Sequence, residues 1–160
     1  MQVTFTVRRL GPGDEPLLEM LAEQAPEFDL AGRSSPERPL SASDAAAYLA
    51  DPGVLHWVAE EDGLVIGELL CHVLRMPSRH PCELLLYSIG VRASDRRRGV
   101  GKELVEEMLR WMKDAGVPEV WVLADNPGAE AFYATCGFEP GGEGEQGVLM
   151  LLRIGAGGGG

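Results

Sequence analysis

The sequence predicts one α+β, or mixed α/β, domain with helices on both faces of a single sheet, in the order β-α-α-β-β-β-α-β-α-β. Three observations carry that expectation. Two apolar runs meet at Asp62-Gly63, which is a hairpin signal. Residues 83–91 are almost continuously apolar, as a central strand covered on both faces would be. From Val100 onward, apolar residues recur at spacings of three and four, so a helix follows that strand.

In chain order, Val3, Phe5 and Val7 alternate with polar neighbours as in a half-buried strand, which Gly11-Pro12-Gly13 ends. Pro16 opens an amphipathic helix carrying Leu17, Leu18, Met20 and Leu21, and Pro26 closes it. Residues 27–40, rich in Pro, Ser and Arg and without a period, form a long surface loop. Ser43 caps a short helix running to Ala50, with Asp44 in its first turn and Asp51-Pro52-Gly53 ending it. Residues 55–60 and 64–74 pair as antiparallel strands, and the two prolines within 76–82 make a loop before the central strand. Leu104, Val105, Met108, Leu109 and Met112 share one face of the next helix, which Gly116 stops. Residues 119–124 form a short buried strand. Asp125-Asn126-Pro127-Gly128 then turns into a helix that starts at Ala129 and stops at Gly137, and residues 148–154 are a last strand. Glycines 141, 142, 144 and 147 mark a mobile connection, and residues 155–160 are a flexible tail, so the domain spans 1–154.

The 160 residues are 45% hydrophobic and 24% charged, ordinary values for a globular chain able to bury a core without staples. A formal charge of -11 disfavours nucleic acid and anionic membranes and favours cationic ligands. Cys71, Cys82 and Cys136 are odd in number and lack C-x-x-C spacing, which fits reduced thiols filling a core. The first ten residues lack an apolar signal region, and no stretch approaches the ~20 residues of a membrane span. A soluble, cytoplasmic protein is expected. His56, His72 and His80 lack metal-ligand spacing, so no metal is expected.

Five of the fourteen Lys and Arg fall within residues 92–102. Arg96, Arg97, Arg98, Gly99, Val100, Gly101 and Lys102 join a buried strand to a helix start, where unpaired N–H groups and the helix dipole favour an anion. Gly99 and Gly101, without Cβ atoms, let a phosphate approach the main chain. A P-loop would need glycine in place of Arg96 and Ser or Thr in place of Glu103, and a dinucleotide fingerprint a small residue in place of Leu104. Both fail, leaving a pyrophosphate loop of another kind or a solvated arginine cluster on a tight turn.

Ile89-Gly90-Val91 followed by Arg96-Arg97-Arg98-Gly99-Val100-Gly101 resembles the acetyl-CoA signature of the GCN5-related N-acetyltransferases. Asn126, Ala129, Phe132, Tyr133 and Gly137-Phe138 resemble that family's second motif. The resemblance implies the family's fold, a mixed, mostly antiparallel sheet whose fourth and fifth strands splay apart around the pantetheine arm of acetyl-CoA. Ile89, Gly90 and Val91 would hold that arm, the amides of Arg97 to Lys102 would wrap the pyrophosphate beside Arg96, and Asn126 and Phe132 would meet the cofactor from the neighbouring strand and helix.

The implied reaction is direct attack of a neutral primary amine on the thioester, through a tetrahedral oxyanion, with loss of a thiolate. An amine with a reference pKa near ~10 needs a base, for which Glu83 is the candidate because on a two-residue period it shares a face with Leu85, Tyr87 and Ile89. An ordinary strand-edge glutamate is the other reading. Tyr133 matches the tyrosine that protonates the thiolate in many relatives, and a core tyrosine is its alternative. Main-chain N–H near Ile89 or Val91 would polarise the carbonyl.

Tyr48-Leu49-Ala50 with Asp51-Pro52, the strand containing Gly67, and residues 83–91 are more loosely similar to the aminoglycoside 3-N-acetyltransferases. Tyr87-Ser88 stands where those enzymes carry Tyr-Asp, so one acidic contact is missing. Glu27, Asp29, Glu37 and Glu83 are acids that could face a cationic acceptor or stay solvated. The resemblance therefore implies acetyl transfer to a small cationic amine, an aminoglycoside among the candidates. A protein or peptide amine and a non-catalytic acyl-CoA-binding module are the alternatives, and a homodimer is an arrangement that relatives adopt.

Overall fold

The computed structural model describes residues 4–29, 35–124 and 127–139, and the chain divides into two compact units, 1–124 and 125–160. In the first unit, β1 (Thr6–Arg9), β2 (Val54–Glu61), β3 (Leu64–Arg75), β4 (Cys82–Val91) and β5 (Val120–Val122) form one sheet in that spatial order. The first four strands are antiparallel neighbours, and β5 joins β4 in parallel. The β2–β3 hairpin closes on Asp62 at φ 51° and Gly63 at φ 78°, the left-handed pair that a two-residue Asp-Gly turn uses. Two bulges interrupt the ladders. Ile66 is extra in β3, between the pairs Ala59↔Gly67 and Glu60↔Val65, and Tyr87 is extra in β4, between Cys71↔Leu86 and Leu70↔Ser88.

Helices cover both faces. On one, α1 (Glu15–Glu23), α2 (Ala25–Phe28) and α3 (Ala42–Ala50) bring Leu21, Phe28 and Leu49 onto Val58 and Val65. On the other, α4 (Val100–Ala115) buries Leu104, Val105, Met108 and Met112. Cys71 lies under α4 with its Sγ 3.5 Å from Met108 Sδ, and burial pushes its thiol up to about 12. At that value the thiolate is scarce and the sulfur serves as packing. Gly116 at φ 72° ends α4, and the Val117 N–H donates to the Met112 carbonyl.

Several expectations change. Pro26 opens α2 instead of closing α1, because proline lacks the N–H that a first turn leaves unused. The cap of α3 is Ser41, whose Oγ accepts the Asp44 N–H at 3.2 Å, with Ser43 already inside the helix. The loop expected over 27–40 begins after α2, whose last residues are Glu27 and Phe28. Leu109 is 41% exposed, on the flank of α4. The central strand is covered only in its first half, and Tyr87 is 68% exposed.

In the second unit, α5 (Pro127–Thr135) starts at Pro127, two residues before the expected Ala129, again with proline in the first turn. Gly137 at φ 95° turns the chain so that the Phe138 N–H donates to the Tyr133 carbonyl at 3.0 Å. Val3, the strand expected at 148–154, glycines 141, 142, 144 and 147, and the tail lie outside the described residues. Among the described residues no helix is long and apolar enough to cross a membrane.

Candidate active site

Strands β4 and β5 part company early. Val120, Trp121 and Val122 pair with Leu84, Leu85 and Leu86, and β4 then runs on to Val91 with no described strand on that side. The Arg92 N–H donates to the Ile66 carbonyl at 2.9 Å, so on a two-residue period Ser88 and Gly90 also direct their main-chain groups to β3. Ile89 and Val91 turn theirs toward the vacated edge. The Val91 carbonyl there accepts the Arg96 Nε–H at 3.1 Å.

A single 3₁₀ turn at Ala93–Asp95 leads into the basic segment. Arg97 at φ 61° and Gly99 at φ 80° are both left-handed, and such residues alternating with ordinary ones turn successive N–H groups into a concave nest. Gly99 is also the N-cap of α4 and has no side chain to cap with. Among the described residues, no carbonyl or side chain accepts the N–H groups of residues 97–102, apart from what the helix start leaves open by geometry. These donors and the helix dipole fit a diphosphate.

Two of the three arginine side chains, those of Arg96 and Arg98, hold the turn, and Arg97 is exposed. Arg96 is occupied by Val91, and Arg98 forms ion pairs with Glu61 and with Asp95 at 2.7 Å and donates to Thr4 Oγ1 at 3.0 Å. The Val100 side chain is core: a Cβ on Gly67 would stand 2.8 Å from its Cγ1. Only the main chain of Val100 is available to a ligand. Gly101 is half-buried and Lys102 is exposed on the first turn of α4.

On the α1–α2–α3 face of the same stretch of β4 lies a cavity of about 520 Å³. Its floor is Leu70, Tyr87, Ser88, Ile89 and Gly90, its wall includes Leu21, Phe28 and Tyr48, and its charged rim is Asp29, Glu37 and Arg38. A Cβ on Gly90 would meet both Cβ and O of Phe28 at 2.9 Å, so α2 sits against bare backbone. Arg92, 8% exposed, ties this wall to the sheet. It donates to the Val65 carbonyl at 2.6 Å, pairs with Glu27 and Gln24, and lies 4.7 Å over the Phe28 ring.

Three residues that sequence reasoning missed line this cavity together. Tyr48 Oη is 2.9 Å from His56 Nδ1, and His56 Nε2 is 2.8 Å from Glu68 Oε2. Burial, with the Glu68 charge second, holds the Tyr48 phenol well above its usual pKa. The phenol therefore stays protonated; the Glu68 carboxylate can only accept, so Nε2 carries a proton, and in the neutral ring Nδ1 then accepts the Tyr48 O–H. Glu68 is also the register partner of Gly90. Its nearest sequence signal is the Asp62-Gly63 turn, which places His56 and Glu68 on adjacent strands.

The structure does not bring Glu83 to this cavity. Buried near the start of β4, its carboxylate accepts the Trp121 indole N–H at 2.8 Å, and at ~3.3 Å per residue it lies on the order of 20 Å from Ile89. The expected shared face holds as far as Tyr87, whose ring packs on His72, the register partner of Leu85, and it fails for Ile89, beyond the Tyr87 bulge. Beyond it, Ser88 and Gly90 are the residues in register with the Leu70 and Glu68 side, whereas Ile89 pairs with Leu69. In the second unit, Tyr133 is buried with its ring 5.5 Å from Phe132 and 5.4 Å from Phe138. Asn126 lies outside the described residues.

The sequence profile of the "Acetyltransferase (GNAT) family" matches residues 17–138. N-acetyltransferase 8 of Rattus norvegicus is 30% identical over 108 residues, 66% of this chain and 49% of that protein, so the chain spans about half the length of the curated relative. The fold matches an aminoglycoside acetyltransferase from an uncultured soil metagenomic sample, solved with trehalose, at a TM-score of 0.79 and 21% identity over 94% of this chain and 97% of that one. It also matches aminoglycoside N-acetyltransferase AAC(6')-Iy in complex with CoA, at a TM-score of 0.69 and 20% identity over 93% and 100% of the two chains.

Proposed function

The chain belongs to the acetyltransferase (GNAT) family, which draws its acetyl group from acetyl-CoA, and on that premise we propose that it acetylates a primary amine of a small cationic acceptor, an aminoglycoside among the candidates. One observation carries the acceptor class. Among the described residues the cavity on β4 is lined by the carboxylates of Asp29, Glu37 and Glu68 and the guanidinium of Arg38, and its volume of about 520 Å³ is that of a small-molecule site. A net negative rim favours a cation, and the charge of -11 adds long-range attraction of the same sign.

Acetyl-CoA, when bound, supplies an acetyl thioester. We assign its diphosphate to the N–H groups of residues 97–102 and its pantetheine arm to the main chain of Ile89 and Val91. Ile89 belongs to both the free strand edge and the cavity floor, so an acceptor in the cavity approaches the stretch of chain that would hold the thioester. Tyr133 is proposed to give its phenolic proton to the departing thiolate, and Asn126 and Phe132 to contact the cofactor. The aminoglycoside acetyltransferases of similar fold support an aminoglycoside as one acceptor to try.

The test is a panel of acceptors, aminoglycosides, polyamines and basic peptides, assayed for free CoA against a blank without acceptor. Faster release with the small polycations supports the proposal. Release only with peptides would move the acceptor to a protein amine, and CoA binding with no stimulated release would leave an acyl-CoA-binding module.

A further inference from the structure

The linked side chains of Tyr48, His56 and Glu68 form a relay that ends in the cavity. Glu68 Oε2 is taken by His56, while Oε1 has no partner among the described residues and belongs to a side chain that lines the cavity. The pair Glu68↔Gly90 sits in the β3–β4 ladder, where directly opposed Cα atoms are ~5 Å apart. The carboxylate is thus rooted beside the two residues whose main chain faces the free edge of β4. Of the described acids that line the cavity, Glu68 is the one rooted in the sheet: Asp29 follows α2, Glu37 precedes α3, and Glu83, outside the lining, is bound to Trp121.

We propose that Glu68 is the catalytic base that removes a proton from the acceptor's ammonium group, with His56 and Tyr48 as positioning residues; this rests on the acetyl-transfer reading above. The Glu68 carboxylate takes one N–H proton, and the freed nitrogen pair attacks the thioester carbon. A C–N bond forms, the C–S bond breaks, and its electron pair leaves on sulfur, which is protonated by Tyr133 or solvent. The amide retains one N–H and the second amine proton departs as the tetrahedral adduct collapses. His56 Nε2–H holds Oε2, so the open oxygen is the one presented to the amine, and the Tyr48 O–H fixes the ring's tautomer. Among the described residues, the other charged groups lining the cavity with this carboxylate are Asp29, Glu37 and Arg38.

The experiment compares Glu68→Gln with the wild type on two acceptors of similar size, a strongly basic alkylamine and a weakly basic amine already neutral at the assay pH. Loss of a general base is worth roughly 10²-fold or more, so kcat/KM with the alkylamine should fall by about that factor while the weakly basic amine loses less than about tenfold. Tyr48→Phe, which keeps the ring in place, should show the same asymmetry with a smaller loss in kcat and little change in KM. CoA titration of each variant checks that the fold is intact. Equal losses for both amines, or none, would overturn the assignment to Glu68 and leave acetyl transfer standing. A wild-type protein that acetylates neither amine would overturn the acetyl-transfer reading itself and this proposal with it.

Discussion

A methyl group built on Gly90 would stand 2.9 Å from the Cβ and from the carbonyl oxygen of Phe28. One of those atoms is backbone, so α2 must move to admit a side chain. Gly90→Ala is expected to destabilise the protein by about 1–3 kcal/mol, the usual cost of overpacking, and to raise the KM for the acceptor because the same contact forms a wall of the cavity. Denaturant midpoints and steady-state kinetics check both. An unchanged midpoint would mean that α2 yields freely.

Gly99 carries φ 80° at the start of α4, a conformation that a β-branched residue resists. Gly99→Val should disturb the N–H groups of residues 97–102 and weaken CoA binding at least tenfold, ~1.4 kcal/mol, by calorimetric titration. Gly101→Val should weaken it through a branched Cβ at the same surface. Full affinity in both variants would remove the diphosphate from this turn.

Tyr133→Phe deletes one oxygen from a buried ring packed between Phe132 and Phe138. If the phenol is the acid, kcat falls ~10²-fold with CoA affinity retained. Stopped-flow detection of free thiol measures the step directly, and an unaltered rate would leave solvent as the proton source.

Arg92 is expected to matter for stability more than its exposed neighbours. Arg92→Met strips the donor from the Val65 carbonyl and the partner from Glu27 and Gln24, at a cost of about 3 kcal/mol. Arg92→Lys should recover only part of it, since an ammonium cannot reach three acceptors in a planar fork. Thermal unfolding of the two variants orders them, and equal stability would show that the fork is dispensable.

Asp14 gives a pH signature. Its carboxylate accepts two N–H bonds from Arg8, at 3.0 and 3.1 Å, and one from the Gly11 amide at 2.8 Å, and the Arg8 bonds are the main reason its pKa lies below the ordinary carboxylate range. A pKa depressed by folding contributes stability that is complete above the unfolded value, ~4, and is lost as the pH falls through the lower folded value. The pair is partly exposed, so the gain is below ~1 kcal/mol. The stability difference between wild type and Asp14→Asn should therefore be constant near neutrality and shrink below about pH 4. A difference that persists in strong acid would contradict it.

What the sequence determined by itself is whatever nearby residues settle. Asp62-Gly63 can adopt the two left-handed conformations of a hairpin, Gly116 can end a helix whose apolar face repeats at three and four, and Gly99 can take the left-handed conformation that begins α4. The tertiary structure decided which side chains meet. Counted back from the turn without a bulge, Glu68 would lie opposite Trp57, and His56 and Glu68 would point to opposite faces. Ile66 shifts the register by one residue, and both side chains then reach the same cavity. The Tyr87 bulge does the same to β4 and separates Ile89 from the face that Glu83 was expected to share. Side-chain direction in a strand has period two, so a single extra residue inverts every later assignment. Nothing local in the chain marks these two positions: α4 packed against Gly67, α2 against Gly90 and the Arg92 amide on the Ile66 carbonyl are contacts between residues far apart in sequence.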